Sequence, residues 1–210
     1  MGKNKLARFE QNLGFKNMVQ LPEDMQGKWH AFFNNNNPIT LELACGHGAY
    51  TVGLSRLFPN RNFIGIDRKG ARMWRGAKTA LEENLDNAAF LRIQIDHCDQ
   101  HFTTDEIDEI WITFPDPHPE KDRKKLTSPL FINRYKKFLK KDGLIHLKTD
   151  SDEMYEYTMA QIEANGFRLL EHDNNIYAAD KVSPELEIKT YYEQKWLAMG
   201  KTIKYIRFQL

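Results

Sequence analysis

The sequence has few cysteines and no long apolar segment. Its 210 residues include two cysteines, Cys45 and Cys98, which lack the spacing of a metal-ligand pair. We therefore expect buried thiols in a reducing compartment and no metal site. No apolar run approaches the roughly 18 residues of a membrane span, and residues 1–5 lack the apolar core of a secretory signal. These absences predict a cytoplasmic protein without membrane contact.

The net charge of +1 conceals three basic blocks. Residues 1–20 carry a net charge of +3, residues 68–78 carry +5, and residues 121–141 carry +8. Any one block is typical of a solvated helix face, but the three together favour a polyanionic partner, with a phosphate backbone as the leading candidate.

Strand-like and helix-like segments alternate from residue 38 onward. Strands are predicted at 39–44, 62–66, 90–95, 107–114, 143–148, 167–170 and 203–208. Helices are predicted at 24–33, 49–58, 70–83, 128–139, 151–165 and 185–199. This alternation indicates an α/β fold with a doubly wound, Rossmann-like, mostly parallel sheet and an antiparallel last strand. Residues 1–37 are predicted to form a basic N-terminal arm with a short helix, mobile at its start, and residues 38–210 the main domain.

A glycine-containing turn follows the first predicted strand. Gly46 and Gly48 would allow close approach of the backbone to a ligand. The dinucleotide fingerprint needs a third glycine, and Thr51 stands in its place. The turn therefore suits a cofactor with an adenosine but no phosphates, namely S-adenosyl-L-methionine.

Carboxylates are predicted at the ends of the neighbouring strands. Asp67 lies 19 residues after Gly48, where it can accept both ribose hydroxyls. Asp96 ends the third predicted strand, in a position suited to an adenine amino group. Glu42 lies within the first strand, where a structural ion pair is the simpler interpretation.

A proline-rich loop follows the predicted strand 107–114. Pro115, Pro117 and Pro119 fix their own φ angles and bias the preceding residues toward extended backbone. We therefore expect a stiff loop that holds Asp116 at a strand end, where ligands bind in α/β sheets. The basic residues that begin at Lys121 adjoin this carboxylate.

Six segments resemble the motifs of the bacterial tRNA (guanine-N7-)-methyltransferases. They are residues 42–48 (ELACGHG), 65–67 (GID), 114–119 (FPDPHP), 126–127 (LT), 146–150 (HLKTD) and 190–195 (TYYEQK). The resemblance runs from about residue 38 to the C-terminus. The chain departs from the family at His118, where tryptophan is usual, and at Glu120, where lysine is usual; the basic segment before Leu126 is also about two residues short.

The resemblance implies a function and a set of site residues. The main domain would be an S-adenosyl-L-methionine-dependent methyltransferase domain that acts on N7 of guanosine at position 46 of the tRNA variable loop. The residues expected to contact the methyl donor are Glu42, Gly46, Gly48, Asp67, Asp96 and Asp116. Asp116 is also expected at the reaction centre. By the resemblance, the residues expected to bind the substrate are Asp150, Thr190, Tyr191, Tyr192 and Glu193. The resemblance does not assign Lys121, but we expect Lys121, or else Arg123 or Lys124, to replace the substrate-binding lysine that is usual at Glu120.

Other interpretations remain open at this point. Thr190 and Glu193 also match a helix capping box, and the two roles are compatible. The chain could methylate another RNA, a small molecule or a protein, or bind tRNA without catalysis. A nicotinamide-dependent oxidoreductase is disfavoured because the third glycine is missing. The expected partner is tRNA, without a metal, and the expected state is a monomer or homodimer.

Overall fold

The computed structural model describes residues 2–178 and 181–210. The chain divides into two compact units, one up to Thr103 and one from Thr104 to Leu210. No helix in the described ranges is long and apolar enough to cross a membrane.

The first unit is a parallel α/β structure. Its helices are α1 (Gly2–Leu13), α2 (Trp29–Phe33), α3 (Ala49–Leu57) and α4 (Gly70–Glu82). Its strands are β1 (Met18–Gln20), β2 (Ile39–Leu43), β3 (Asn62–Asp67) and β4 (Ala88–Arg92), followed by a 3₁₀ helix at Ile95–Gln100. The strand order is β1-β4-β3-β2 with every pair parallel. This agrees with the predicted α/β alternation.

The core of this unit follows from the sequence periodicity. Every residue of β2 and β3 is buried, as expected for strands covered on both faces. On α4 the buried side chains include Met73, Ala77 and Ala80, spaced by four and three residues along one helix face. These side chains pack with Met18, Val52 and Phe90 in one apolar cluster.

Residues 2–20 are folded, whereas the sequence predicts a mobile arm. They form α1 and β1, and β1 pairs with β4 in parallel register. The buried amide of Asn12 donates to the Gly70 carbonyl oxygen (2.9 Å), and the buried amide of Asn17 donates to that of Ala77 (3.0 Å). These long-range bonds explain the difference, because composition reports local preferences and not tertiary partners.

The second unit combines parallel and antiparallel pairing. Its strands are β5 (Ile107–Thr113), β6 (Leu139–Thr149), β7 (Arg168–Asp173) and β8 (Lys204–Gln209). Its helices are α5 (Pro129–Tyr135), α6 (Asp152–Asn165), α7 (Pro184–Glu187) and α8 (Tyr191–Ala198), with a 3₁₀ turn at Asp122–Lys124. The strand order is β5-β6-β8-β7. β5 and β6 are parallel, whereas β8 is antiparallel to both of its neighbours, which confirms the predicted antiparallel last strand.

The sequence predicts the ends of α6 correctly, because both ends carry capping residues. The Ser151 hydroxyl accepts a hydrogen bond from the Met154 N–H at 3.2 Å, as expected for an N-cap. The helix stops at Gly166, whose φ of 65° is the left-handed conformation of a C-cap.

The helix predicted over 185–199 is wrong as a single element. The structure has α7 and α8 with a break at residues 188–190. The carbonyl oxygens of Leu186 and Ile188 accept hydrogen bonds from the side chain of Lys148, and Thr190 caps a new helix. Residues 179–180, between the predicted strand 167–170 and the predicted helix 185–199, lie outside the described residues.

Candidate active site

The turn between β2 and α3 contains three residues with left-handed backbone. Ala44, Gly46 and Gly48 have φ angles of 59°, 55° and 70°. This conformation costs a glycine nothing, but it strains Ala44 because Ala44 carries a Cβ. Such strain is typical of functional turns.

The two glycines of the turn have different roles. A Cβ on Gly46 would meet only the Ala44 carbonyl oxygen, at 3.9 Å, so the space beside this backbone is open. A Cβ on Gly48 would overlap the Phe90 ring and lie 3.3 Å from the Cα of Gly76. The sequence predicts a ligand-binding role for both residues, and the structure shows in addition that Gly48 allows α3 to pack closely against α4 and β4.

Asp67 ties the turn to the end of β3. Its Oδ2 accepts a hydrogen bond from the Gly46 N–H at 3.0 Å, and its Oδ1 accepts one from the Lys69 N–H at 2.8 Å. The carboxylate is therefore fixed in one orientation beside the open space at Gly46. A carboxylate oxygen has a second lone pair, so further donors can still bind.

Glu42 has a structural role within the first unit. Its buried Oε2 accepts hydrogen bonds from the Thr51 N–H (2.8 Å) and the Thr51 hydroxyl (2.5 Å). The carboxylate thus holds the first turn of α3, where a negative charge is favourable. Burial, and next the charges of Glu42 and Asp67, raise the pKa of the nearby Cys45 thiol. Two carboxylates, those of Glu42 and Asp67, therefore lie beside this turn.

The prediction that Asp96 ends the third strand is wrong. β4 ends at Arg92, opposite Asp67, which is the last residue of β3. Without a neighbouring strand the ladder cannot continue, and the chain enters the 3₁₀ helix. Asp96 lies in its first turn and is exposed.

The proline-rich loop after β5 is strained at three residues that carry side chains. Phe114, His118 and Glu120 have positive φ angles of 49°, 44° and 64°. The expected extended backbone before Pro115 and Pro119 is therefore wrong. Left-handed backbone costs such residues about 1–2 kcal/mol each, and clustered strain of this kind marks functional loops.

Asp116 lies within this strained loop with an exposed side chain. The loop begins where the Phe114 N–H donates to the Lys148 carbonyl oxygen of β6, at 2.8 Å. It ends where the Lys121 N–H donates to the His118 carbonyl oxygen, at 3.1 Å. Asp116 is thus presented to solvent between two fixed ends.

The basic segment after the loop contains two kinds of residues. Lys121, Arg123 and Lys124 are exposed. The Lys125 side chain is only 3% exposed, and its Nζ contacts Asp122 Oδ1 (2.6 Å) and Glu153 Oε1 (2.8 Å). Lys125 therefore has a structural role, and the cations available to a polyanion here are the three before it.

Asp150 lies just past the end of β6. Its Oδ2 forms an ion pair with Lys201 Nζ at 2.6 Å, and its side chain is 15% exposed. Its backbone carbonyl oxygen lies 3.3 Å from Lys204 Nζ. The carboxylate is accessible yet held in place.

Thr190 and Glu193 form the capping box that the sequence allowed. The Glu193 N–H donates to the Thr190 hydroxyl oxygen at 3.1 Å, and the Thr190 N–H donates to Glu193 Oε2 at 3.3 Å. The side chain of Glu193 has 0% exposure. Tyr191 and Tyr192 are instead 64% and 39% exposed. This segment therefore exposes the two tyrosines and buries the Glu193 carboxylate, and Thr190, between the tyrosines and the helix break, is partly buried.

The chain is similar to known methyltransferases over most of its length. Residues 36–206 match the family model described as "Putative methyltransferase". The chain is 49% identical to the tRNA (guanine-N(7)-)-methyltransferase of Bacteroides thetaiotaomicron, over 100% of this chain and 87% of that protein. It is 53% identical to the protein of the same name from Porphyromonas gingivalis, over 89% and 77%. This chain belongs to the tRNA (guanine-N7-)-methyltransferase family.

Solved structures share the fold of this tRNA (guanine-N7-)-methyltransferase family member. The 16S rRNA methyltransferase KamB has a TM-score of 0.69 and 12% identity, over 92% of this chain and 98% of that chain. A 30S ribosomal A1408 methyltransferase from an uncultured bacterium has a TM-score of 0.65 and 16% identity, over 91% and 98%. At such identities the likeness shows the fold alone, which is the predicted Rossmann-like α/β fold.

Sequence reasoning missed a buried polar cluster in this family member. Lys148 Nζ lies 2.7 Å from Glu193 Oε1, and the Tyr177 hydroxyl lies 2.6 Å from the same oxygen. Burial lowers the pKa of Lys148 to about 8, although Glu193 opposes this shift. The sequence signal that could have revealed this cluster is the lysine within the apolar run of β6. A lysine is rarely fully buried unless it is paired, so a partner for Lys148 could have been expected.

A second buried polar group lies on β5, β6 and β8. The His146 Nδ1 lies 2.7 Å from the Tyr205 hydroxyl, and the Trp111 Nε1–H donates to Glu109 Oε1 at 2.7 Å. The rings of Trp111 and His146 stack with centroids 4.0 Å apart. His146 belongs to a family motif, and here it has partners within the core.

Proposed function

We propose that this protein transfers a methyl group from S-adenosyl-L-methionine to N7 of a guanosine in tRNA, in the variable loop. The observation that carries the proposal is the 49% identity over the whole chain to a relative named for guanine-N7 methylation of tRNA. The protein would act in the cytoplasm, as a monomer or homodimer.

The residues of the β2–α3 turn fit the methyl donor. Gly46 leaves open space beside the backbone, and the fixed carboxylate of Asp67 lies next to it with lone pairs suited to ribose hydroxyls. The carboxylates of Asp67 and Glu42, which hydrogen-bond to the turn and to the start of α3, also favour a nearby sulfonium cation. Asp96, which is exposed beyond β4, is assigned to the adenine of the donor. Gly48 allows the close packing of α3 beside the turn.

The acceptor chemistry requires little from the protein besides positioning. Guanine N7 has an in-plane lone pair and needs no deprotonation. When bound, the donor supplies an electrophilic methyl group on a sulfonium. The protein must hold the reacting atoms in line at about 3 Å, which accelerates the reaction by orientation.

Asp116 is proposed to stabilise the transition state. The guanine ring gains positive charge as the methyl group is transferred, and a fixed carboxylate lowers the energy of that charge. The strained, proline-bounded loop is suited to fixing such a carboxylate because strain persists only where the surroundings over-determine the backbone.

The guanosine is proposed to contact Asp150 and the N-terminus of α8. The carboxylate of Asp150 can accept bonds from guanine N1–H and the N2 amine, a pattern that adenine lacks. The pair with Lys201 does not preclude this, because a carboxylate accepts several hydrogen bonds. Thr190, Tyr191 and Tyr192 would contact the nucleoside from α8.

The exposed cations near the loop are proposed to hold the tRNA backbone. Lys121, Arg123 and Lys124 can neutralise phosphates beside the reaction loop. The target base must leave its stack to reach a reaction centre, as in other enzymes that modify bases.

The direct test uses purified protein, methyl-labelled donor and unmodified tRNA transcripts. Nucleoside analysis should show N7-methylguanosine in the wild-type transcript and none when the variable-loop guanosine is replaced by adenosine. An rRNA fragment serves as the control substrate. Label on rRNA but not on tRNA, or in another methylated nucleoside, would contradict the proposal.

A further inference from the structure

Lys148 is a charged residue inside a buried strand. Its Nζ donates hydrogen bonds to the carbonyl oxygens of Leu186 (2.7 Å) and Ile188 (3.1 Å). The same atom lies 2.7 Å from Oε1 of Glu193, and both side chains have 0% exposure. These three acceptors match the three N–H donors of an ammonium group. All three belong to residues 184–193, here termed the α7–α8 segment.

Tyr177 reinforces the same contacts. Its hydroxyl lies 2.6 Å from Glu193 Oε1 and 3.2 Å from the Leu186 carbonyl oxygen. Burial, and then Glu193, raise the pKa of this hydroxyl, so it stays protonated and can donate. Lys148 and Tyr177 therefore both contact the Leu186 carbonyl oxygen and Glu193 Oε1 in the α7–α8 segment.

These contacts lie on both sides of Thr190. Leu186 and Ile188 precede it, and Glu193 follows it and closes the capping box. α7 has four residues and α8 has eight, and helices of this length are not stable without tertiary contacts. The place of Thr190 therefore depends on the groups that hold its neighbours.

Stability alone does not account for a buried ion pair. The free energy needed to desolvate two charges is about as large as the free energy of their attraction. Apolar residues of similar volume therefore often give a protein of equal stability. A pair that also binds two carbonyl oxygens at a helix break fixes one conformation of that break. The contacts thus point to a geometric role.

We propose that Lys148 is a positioning residue, which fixes Thr190 and Tyr191 for the guanosine by holding Leu186, Ile188 and Glu193. Glu193 then acts on substrate binding through the α7–α8 segment and does not touch the guanosine. This inference rests on the proposed function, because it concerns how the same substrate site is assembled.

The geometry of Glu193 favours this role over direct contact. Oε1 lies between Lys148 and Tyr177, and Oε2 accepts the Thr190 N–H. For Glu193 to reach a base, the capping box and the ion pair would both have to break, and Lys148 would be left as a buried unpaired charge.

The test compares Lys148→Met, Glu193→Gln and the double variant in the methyl-transfer assay. Lys148→Met leaves the Glu193 carboxylate buried and unpaired, so the KM for tRNA should rise by about tenfold or more, while the Kd for the donor stays within about twofold. Adding Glu193→Gln removes that charge and keeps an oxygen for the cap. The KM for tRNA of the double variant should therefore be at least about threefold lower than that of Lys148→Met.

The outcomes separate the possible roles. A double variant no better than Lys148→Met, or a Lys148→Met enzyme with wild-type KM for tRNA, would overturn the positioning role. A Glu193→Gln enzyme without activity, unchanged by Lys148→Met, would indicate direct contact and also overturn it. An inactive wild-type protein would instead overturn the proposed function.

Tyr177→Phe provides the test if Lys148→Met does not fold. It removes a donor to Glu193 and Leu186 without unpairing a charge, so the KM for tRNA should rise by about threefold. Tyr205→Phe is the matched control, because it also loses a buried hydroxyl, bonded to His146, in the same unit. Equal KM values in Tyr177→Phe and Tyr205→Phe would contradict the proposal.

Discussion

The backbone carbonyl oxygen of Lys148 accepts a hydrogen bond from the N–H of Phe114 at 2.8 Å. This bond lies where β5 ends and the loop with Asp116 begins. The side chain of the same lysine holds the α7–α8 segment around Thr190. One residue of β6 therefore anchors both the loop assigned to the reaction centre and the segment assigned to the guanosine.

Asp116→Asn should abolish most methyl transfer without unfolding the protein. The amide keeps the size of the carboxylate but not its charge, and loss of one such electrostatic contact typically lowers kcat by about 10²–10³. The side chain is exposed, so the melting temperature should change little. The measurement is kcat and KM on tRNA, with thermal unfolding in parallel.

Asp105→Asn is the matched control for this change. Asp105 is also an exposed loop aspartate of the second unit and has a positive φ of 56°, which asparagine tolerates. Its kcat should equal that of the wild type. An Asp116→Asn enzyme as active as this control would exclude Asp116 from the reaction centre.

Gly46→Ala and Gly48→Ala should differ in what they impair. Both residues have positive φ, so each alanine costs about 1–2 kcal/mol of stability. At Gly46 the new methyl group enters open space, so the main further effect should be a higher Kd for the methyl donor. At Gly48 it overlaps the Phe90 ring, which should cost about 1–3 kcal/mol more.

Calorimetry of donor binding and urea unfolding of both glycine variants separate these effects. Gly46→Ala should show the larger loss of donor affinity, and Gly48→Ala the larger loss of unfolding free energy. The reverse order would mean that the open space at Gly46 is not where the donor binds.

The sequence predicts most of the fold because its elements carry local signals. The Ser151 cap and the Gly166 stop place α6 within one residue, and the alternation of apolar runs places β2, β3 and β5. β1 was not predicted because a strand of three residues has too few positions to show a period.

The site is predicted less completely, because its decisive contacts join residues far apart in the chain. The resemblance selects Asp116, Asp150 and Thr190. It does not show that Glu193 faces Lys148, which lies 45 positions earlier in the sequence. Left-handed backbone before proline is likewise contrary to local preference, so only the folded loop reveals it at Phe114 and His118.

Substitutions in the basic segment should separate tRNA binding from stability. Replacing Lys121, Arg123 and Lys124 with alanine should weaken tRNA binding and reduce its dependence on salt, by about 0.7–0.9 in log–log slope for each lost phosphate contact. Lys125→Met should leave that slope unchanged and lower the unfolding free energy, because it leaves Asp122 and Glu153 without their shared cation. Filter binding across a salt series measures the slope of tRNA binding, and urea unfolding measures the unfolding free energy. Equal slopes in the triple variant and the wild type would exclude this surface from the tRNA contact.

The buried Lys148 predicts a pH dependence of stability. Burial lowers its pKa to about 8, with Glu193 opposing the shift and Lys189 adding to it, whereas an unfolded lysine titrates near 10.4. Between these two pKa values the unfolded chain binds more protons than the folded chain, so the unfolding free energy rises with pH. The contribution of Lys148 to the unfolding free energy is therefore smallest below about pH 8. The difference in unfolding free energy between the wild type and Lys148→Met should therefore increase from about pH 8 to 9.5, by at most about 1.4 kcal/mol per pH unit. Urea unfolding of both proteins across this range measures it, and parallel curves would mean that the lysine keeps an ordinary pKa in the folded state.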